Sequence, residues 1–449
     1  MPAKYIIVGN GAAGLSAAET IRAVDAQADI TILSDEPHPY YSRPSLAYYL
    51  AKDIPQAQVF ARPADHYEEL NIKLVPQRAT SISARDHRIT LADGRQMSYD
   101  ALLLATGSRA IPAPFANGRL QGVVYLDSLD TTNEIVRLSR RAKVAVVVGG
   151  GVTALELVEG LHQRGLHVHY LMRRERFWSR LLTPAESQII ENRLEEMGVD
   201  IHRQETVEAA VGSRKVEGVR LASGKELGCQ IIGVAVGVRP NIALARDAGL
   251  RCDRGVLVDE YLRSSDPDIY AAGDIAQIYD RWSGRPLCDS LWSSAILSGR
   301  AAGANMAGAQ QPYEKPVPFN VARLCGIMVT IVGQVSAQTR DTDTTIEELG
   351  RGSSQVWNVL PFSNIISISR QRPKEARRLI LRNNILVGAI LIGDQRLSTP
   401  VRELIQAGAD LSPILPQLQD PERSVTETLL TFWQQWKESS HEQDPRQHT

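Results

Sequence analysis

Cysteine is scarce. Only four occur in 449 residues, Cys229, Cys252, Cys288 and Cys325, and no two are close in sequence. A disulfide-dense secreted scaffold is excluded, and so is a CxxC zinc or iron–sulfur signature. An excess of one charge is lacking too: 50 Lys+Arg against 51 Asp+Glu leave a formal net charge of −1. No whole-protein field draws the chain onto nucleic acid or anionic lipid, which leaves only local patches to do so. No apolar run approaches the ~20 residues of a membrane helix. A strand-like run, Tyr5-Ile6-Ile7-Val8, begins too early to leave room for a signal peptide. The histidines form no metal pattern, because His167 and His169 share a strand face by the period of two but have no third ligand near in sequence. Neither Gly-x-Ser-x-Gly nor HExxH occurs. A cytoplasmic protein is expected.

What the chain does have is apolar strands that run into glycine turns. At roughly 150 residues per domain the length suggests about three domains, enough core to fold without disulfides or metal. Residues 5–8 are apolar without alternation, as a strand buried on both faces must be. Gly9-Asn10-Gly11-Ala12-Ala13-Gly14 follows, then a helical pattern through Leu15, Ala18, Ile21 and Ala23, then a second strand at 30–33. This is a βαβ unit with a GxGxxG turn. Gly9 permits the tight turn, Gly11 lets backbone approach a pyrophosphate, and Gly14 lets helix pack on strand. The helix N-terminus offers N–H groups and a positive dipole end to the phosphate. Asp35, with Glu36 as neighbour, closes the second strand where an acid would take ribose hydroxyls; a solvated acidic turn is the alternative.

About one domain later the arrangement repeats. Residues 143–148 are an apolar strand, Gly149-Gly150-Gly151-Val152-Thr153-Ala154 is the GxGxxA variant, and a further strand at 168–172 ends at Arg173-Arg174. Two units imply two nucleotides. Paired arginines suit a 2′-phosphate through charge-assisted hydrogen bonds, which points toward NADPH; an exposed basic turn with Arg176 is the alternative. Strand-like runs also occur at 89–91, 101–104, 216–221 and 231–236, with hairpin turns at Asp93-Gly94 and Ser223-Gly224. A Pro-containing stretch at 313–318 reads as a linker, and strands at 328–332 and 386–392 suggest a smaller α+β domain. From about Ser439 the chain is polar and expected to be disordered. The fold class expected is α/β, with two three-layer Rossmann-like dinucleotide-binding domains and a C-terminal α+β domain.

Three further motifs complete a resemblance to the two-dinucleotide flavoproteins of the pyridine nucleotide–disulfide oxidoreductase superfamily. LLLATGS (102–108), carrying Ala105, Thr106 and Gly107, resembles the strand that returns the chain toward the nicotinamide domain. GVRPN (237–241), opening at Gly237, resembles the return from it. DIYAAGDIAQ (268–277), with Gly273 and Asp274, resembles the second flavin motif, whose aspartate holds the ribityl chain. VGAILIGD (387–394) resembles a stretch of rubredoxin reductases and of nitrite-reductase flavoprotein regions, so the resemblance spans nearly residues 4–412. It implies FAD on the first unit and NADPH or NADH on the second. It also implies a FAD domain of 1–112 and 246–314 and an NAD(P) domain of 113–245. Residues 315–412 would form an interface domain, through which relatives often pair into homo-oligomers, and 413–449 a helical tail. By the same resemblance Arg43 and Pro44 lie against FAD and Ala79 touches its adenine end through backbone. Glu156 matches the acid near the nicotinamide, with a helix-surface glutamate as the alternative. Leu291 and Trp292, in DSLWSSA, fall where relatives close over the flavin ring, with a core-helix aromatic as the alternative. Lys52 is a guess for the cation that pairs the glutamate.

The departure from the family is as informative. Disulfide-reducing relatives place CxxxxC, and coenzyme A disulfide reductases a single Cys, where this chain has Tyr41-Ser42-Arg43-Pro44-Ser45-Leu46-Ala47. A dithiol relay needs a thiolate beside the flavin. The resemblance therefore implies a FAD-dependent NAD(P)H oxidoreductase that serves an external acceptor, as in rubredoxin, ferredoxin and nitrite-reducing systems. With no siroheme or iron–sulfur domain it would be the electron donor alone. An oxidase or quinone reductase, or a redox-sensing flavoprotein like apoptosis-inducing factor, are the alternatives. Residues 370–382 carry six cations, Arg370, Arg372, Lys374, Arg377, Arg378 and Arg382, against Glu375. They read as a solvated hairpin or as a docking patch for an acidic redox protein. A stripe of Val425, Leu429, Leu430, Phe432, Trp433 and Trp436 suits a membrane surface, but its flanking acids Asp420, Glu422, Glu427 and Glu438 favour packing on the body or a partner subunit.

Overall fold

The computed structural model describes residues 2–115, 120–336, 349–359 and 364–442. The chain forms two compact units, one of Met1–Glu175, Leu194–Lys315 and Thr345–Gln355, the other of Arg176–Arg193, Pro316–Thr344 and Val356–Thr449.

In the first unit, Lys4–Val8 (β1), Ala12–Val24 (α1) and Asp29–Leu33 (β2) make the first βαβ element, extended by Ser45–Leu50 (α2), Ile72–Val75 (β3) and Ala101–Leu104 (β4). Val123–Val124 (β5), Val144–Gly149 (β6), Val152–Gln163 (α3), His167–Met172 (β7), Asp200–Arg203 (β8) and Ile231–Ala235 (β9) build a second. Ile269–Ala271 (β10) and Trp292–Met306 (α4) return to the first. The strand orders are β10-β4-β1-β2-β3 and β8-β7-β6-β9-β5, and both sheets are parallel throughout.

The unbroken apolarity of β1 follows from its two covered faces. Tyr5 and Ile7 pack with Ala13, Ala17 and Ile21 of α1 and Ala302 of α4. Ile6 and Val8 pack on the other side with Ile82, Ile89 and Leu91, from an antiparallel sheet of Ala79–Ser83, Arg88–Leu91 and Gln96–Ser98. Helices, parallel sheet and antiparallel sheet thus form three layers. The second parallel sheet repeats the plan, with Val146, Leu171 and Ile232 meeting Val219 and Leu221 of a second three-stranded sheet. Both expected hairpins form, around Asp93-Gly94 and Ser223-Gly224. The strand expected from 216 begins at Gly218 instead, because the Val216 N–H is taken by the Gln121 carbonyl at 2.8 Å.

The second unit is built on a five-stranded antiparallel sheet of Phe319–Leu324 (β11), Ile327–Gly333 (β12), Ile365–Arg372 (β13), Glu375–Arg382 (β14) and Ile385–Ile392 (β15), ordered β11-β12-β15-β14-β13. Helices Ser398–Ala407 (α5) and Val425–Glu442 (α6) accompany it. The C-terminal stripe packs on its own unit: Val425 and Leu429 are buried, and Trp433 Nε1 donates to Glu403 Oε2 of α5 at 2.9 Å. The helix runs past the expected onset of disorder at Ser439, and residues 443–449 lie outside those described. The docking patch is not assembled from all six cations. Arg378 pairs with Glu186 at 2.9 Å with both side chains buried, and Arg377 pairs with Asp394 at 2.7 Å. Arg370 donates to the carbonyls of Leu418, Gln419 and Asp420. Among the described residues no helix is long and apolar enough to cross a membrane.

Helices α1 and α4 touch backbone to backbone. A Cβ on Gly299 would lie 2.3 Å from the Ala13 carbonyl oxygen, and one on Gly303 would lie 2.5 Å from that of Ala17. Gly303→Ala is expected to destabilise the protein by about 1–3 kcal/mol, since neither backbone can yield without disturbing the sheet beneath. An unchanged thermal unfolding midpoint would contradict this packing.

Candidate nucleotide sites and the groups between them

After β1 the chain turns at Gly9 with φ +118, a conformation that L side chains rarely adopt. A Cβ there would stand 2.2 Å from the Ala105 carbonyl oxygen, and one on Gly14 would stand 1.9 Å from that of Gly9. The start of α1 is therefore pressed against the ends of β1 and β4. Around Gly11, by contrast, nothing lies within 4 Å of an added Cβ. Gly11 is the N-cap and offers no side-chain acceptor, so the first-turn amides, including those of Ala12 and Ala13, keep their positive end for an outside partner. This cradle fits a pyrophosphate.

Hydrogen bonds tie several of the other residues expected at the first nucleotide to one another. Thr106 Oγ1 donates to the Asn241 carbonyl at 3.0 Å and Asn241 Nδ2 donates to the Thr106 carbonyl at 2.8 Å, tying the segment of Gly107 to the one that opens at Gly237. Ser108 and Ser290 both donate to Asp274 Oδ2, each at 2.6 Å, which fixes that carboxylate. The Gly273 N–H donates to Ser298 Oγ on α4. Buried Leu291 caps α4 without a side-chain bond, and Trp292, 47% exposed, donates from Nε1 to Tyr40 Oη at 3.1 Å. Ala79 packs against the apolar cluster that includes Val8 and Leu33.

Glu36 departs from expectation. Its Oε1 lies 2.7 Å from Arg43 Nη2, and its Oε2 accepts the Tyr41 hydroxyl at 2.5 Å. One oxygen is engaged by Arg43 and the other by Tyr41, just before Pro44 and α2, and Asp35 is the acid left exposed at the strand end. Arg43 also donates to the Asp127 carbonyl, and the Asp127 carboxylate pairs with Arg351.

The second cradle repeats the first. A Cβ on Gly149 would lie 2.3 Å from the Ala235 carbonyl oxygen and 3.0 Å from Ala154 Cβ, whereas Gly151 faces open space and caps α3 without a side chain. Thr153 Oγ1 is buried with no hydrogen-bond partner, an orphan that a bound phosphate would satisfy. Arg173 and Arg174 follow the end of β7, the first exposed and the second half-buried. Glu156 lies one turn into α3. Burial pushes its carboxyl up to about 7; the Arg351 guanidinium opposes that rise and Glu159 adds to it. Arg351, not Lys52, is thus the cation beside Glu156, and Lys52 is exposed. No motif announced Arg351 or Asp127, because they meet Glu156 and Arg43 only through the fold.

None of the four cysteines is paired, and burial pushes the Cys229 and Cys288 thiols up to about 12, far from thiolate chemistry. With this arrangement in view, the family model of pyridine nucleotide-disulphide oxidoreductases matches residues 3–288. The chain belongs to this family. The pyridine nucleotide–disulphide oxidoreductases are FAD-dependent and use NADH or NADPH, which suits the two cradles; this member lacks the redox-active cysteines. It is 28% identical over 412 residues to the nitrite reductase [NAD(P)H] of Bacillus subtilis, covering 91% of this chain but 48% of that protein, so the chain spans about half that relative's length. It is 30% identical over 423 residues to putidaredoxin reductase CamA of Pseudomonas putida, covering 91% of this chain and 98% of that one. The fold matches a crystal structure of a covalent putidaredoxin reductase–putidaredoxin complex with a TM-score of 0.83 and 25% identity, over 96% of this chain and 98% of that one.

The raised Glu156 carboxyl has a stability consequence. The folded protein holds a proton there that the unfolded chain, at the ordinary 4.5, releases earlier. The stabilisation is full below about pH 4.5 and is lost as pH rises through about 7. Glu156→Gln is expected to flatten that fall, seen as a smaller difference between unfolding midpoints at pH 5 and pH 8 than in the wild type. An unchanged difference would refute the assignment.

Proposed function

We propose that this chain is a FAD-dependent NAD(P)H reductase that hands electrons to a small redox protein of iron–sulfur or rubredoxin type, with no protein disulfide between. The carrying observation is that two uncapped glycine cradles occur in one unit whose cysteines are unpaired, with Cys229 and Cys288 buried and their thiols pushed up, which leaves no cysteine pair to relay electrons. Similarity to a putidaredoxin reductase over nearly its whole length supports a protein acceptor.

In this reading residues 1–112 and 246–314 hold FAD, 113–245 hold NAD(P)H, and 315–412 form the interface domain. Gly9, Gly11 and Gly14 admit the FAD pyrophosphate, Asp35 takes ribose hydroxyls, Ala79 meets the adenine end, and Asp274, steadied by Ser108 and Ser290, holds the ribityl chain. Arg43 and Pro44 flank the flavin, and Trp292 with Leu291 closes over it. Gly149, Gly151, Thr153 and Ala154 take the second pyrophosphate. Bound FAD supplies a ring that accepts a hydride and releases electrons singly or in pairs. The protein's own contribution is to orient the two nucleotides and exclude water, with Glu156 beside the nicotinamide and Arg351 steadying its charge. Arg173 and Arg174 pair with a 2′-phosphate and favour NADPH.

Anaerobic addition of NADPH or NADH should bleach the yellow protein, and ferredoxin or rubredoxin should restore the colour fastest. Equally fast recovery with oxygen or quinone alone would replace this reading with an oxidase or quinone reductase. Arg173→Ala with Arg174→Ala is expected to raise KM for NADPH relative to NADH by about 10- to 100-fold, the worth of charge-assisted hydrogen bonds. An unchanged ratio of the two KM values would remove the 2′-phosphate role.

A further inference from the structure

Away from both nucleotide cradles, one edge of the second parallel sheet gathers four ligating side chains. Strands β7 and β8 pair in parallel with His169 beside Asp200 and Leu171 beside His202. The two-residue strand period sets His167 and His169 on one face of β7, and Asp200 and His202 on the same face of β8. His167 Nε2 lies 2.9 Å and His169 Nδ1 3.2 Å from Asp200 Oδ2. His202 Nε2 lies 3.2 Å from His169 Nδ1. One ligating atom from each of His167, His169 and Asp200 falls within 4.8 Å of the others. The missing third ligand was therefore on the neighbouring strand, out of reach of any local spacing rule.

We propose that this cluster binds a transition-metal dication of the zinc type, with His167, His169 and Asp200 as ligands and His202 as a fourth donor. Imidazoles with a single carboxylate select Zn²⁺, Ni²⁺ or Cu²⁺ over Ca²⁺ and Mg²⁺, which take mostly oxygen. Donors at zinc bonding distance in a tetrahedron stand about 3.4 Å apart, so the observed separations need only side-chain rotation to close on an ion. The face is open to solvent at His167 and Asp200, whose side chains are 48% and 53% exposed, while His169, at 16%, forms the floor. Two further charges act on this group: Lys225 on both His169 and His202, and Glu205 on His202. They oppose each other, so chelation by several donors, not a local excess of acid, would hold the ion.

The position bears on the consequence. His167 and Asp200 begin their strands, whereas Arg173 and Arg174 follow the carboxyl end of β7, the end at which such sheets bind nucleotides. Strand β8 is the sheet edge. An ion shared by β7 and β8 would pin that edge strand to its neighbour and stabilise the unit without entering the redox chemistry.

The test uses FAD-loaded protein freed of metal with a chelator and then titrated with ZnCl₂ by calorimetry and by thermal unfolding. One Zn²⁺ per chain and a rise in the melting temperature are expected. His169→Gln and Asp200→Asn, each removing a direct ligand, should weaken zinc binding by more than the roughly 10-fold that loss of an outer-shell partner costs and abolish the rise, while keeping the flavin absorbance and the rate of reduction by NAD(P)H. Those readouts establish that the variants fold. His167→Gln, at an exposed position, gives an independent reading in which folding is not at stake. His87→Gln, outside the cluster, should bind zinc as the wild type does. Absence of saturable binding in the wild type, or equal binding in the wild type and the three cluster variants, would overturn the proposal.

Discussion

The first unit depends on one steric constraint: α1 must begin flush against the ends of β1 and β4. Gly9 and Gly14 meet that constraint by having no Cβ, where one would stand 2.2 or 1.9 Å from a carbonyl oxygen. The same closeness recurs on the far side of α1, where Gly299 and Gly303 let α4 come down onto the backbone of Ala13 and Ala17. A helix held this tightly on both sides cannot pivot, so its uncapped amides point where the strands end. The second cradle reaches the same result with Gly149 against Ala235. What looks like a binding motif is thus first a packing solution, and the open space at Gly11 and Gly151 is what it leaves for a ligand.

A second constraint is electrostatic. Glu36, Arg43, Asp127, Arg351 and Glu156 form a run of alternating charge from the end of β2 to α3, each group engaged by the next through side chain, carbonyl or charge. Partly buried charges survive because each neighbour offsets part of the desolvation cost; removing one would leave another uncompensated. The run joins the neighbourhoods of the two cradles, and its Arg351 end opposes the rise to about 7 that burial imposes on the Glu156 carboxyl. Thiols play no such part: Cys229 and Cys288 are buried in surroundings that keep them protonated.

Much of this was legible from residue order. The apolar runs of β1 and β6, the glycine turns and the two hairpins act over a few residues, so local sequence carries their whole cause. Other readings failed for a shared reason. Glu36 looks like a ribose ligand beside Asp35 until Arg43 and Tyr41 fold over it. The cations at 370–382 look like a surface patch until Glu186, Asp394 and the carbonyls near Leu418 draw three of them in. The stripe on α6 suits a membrane surface until Val425 and Leu429 bury within its own unit, the packing on the body that its flanking acids favour.

By itself, then, the sequence determined the α/β class, the two dinucleotide turns, the family and the absence of a disulfide relay. The first two rest on sterics and periodicity within a strand–turn–helix, and the last two on a resemblance carried by motifs spread from residue 9 to 394. The tertiary structure alone decided which cation stands beside Glu156, what Glu36 holds and where His167 and His169 find Asp200. Those partners are set by which strands lie side by side and which loops fold back. Coulomb interactions and hydrogen bonds act through space, and chain distance carries no record of them.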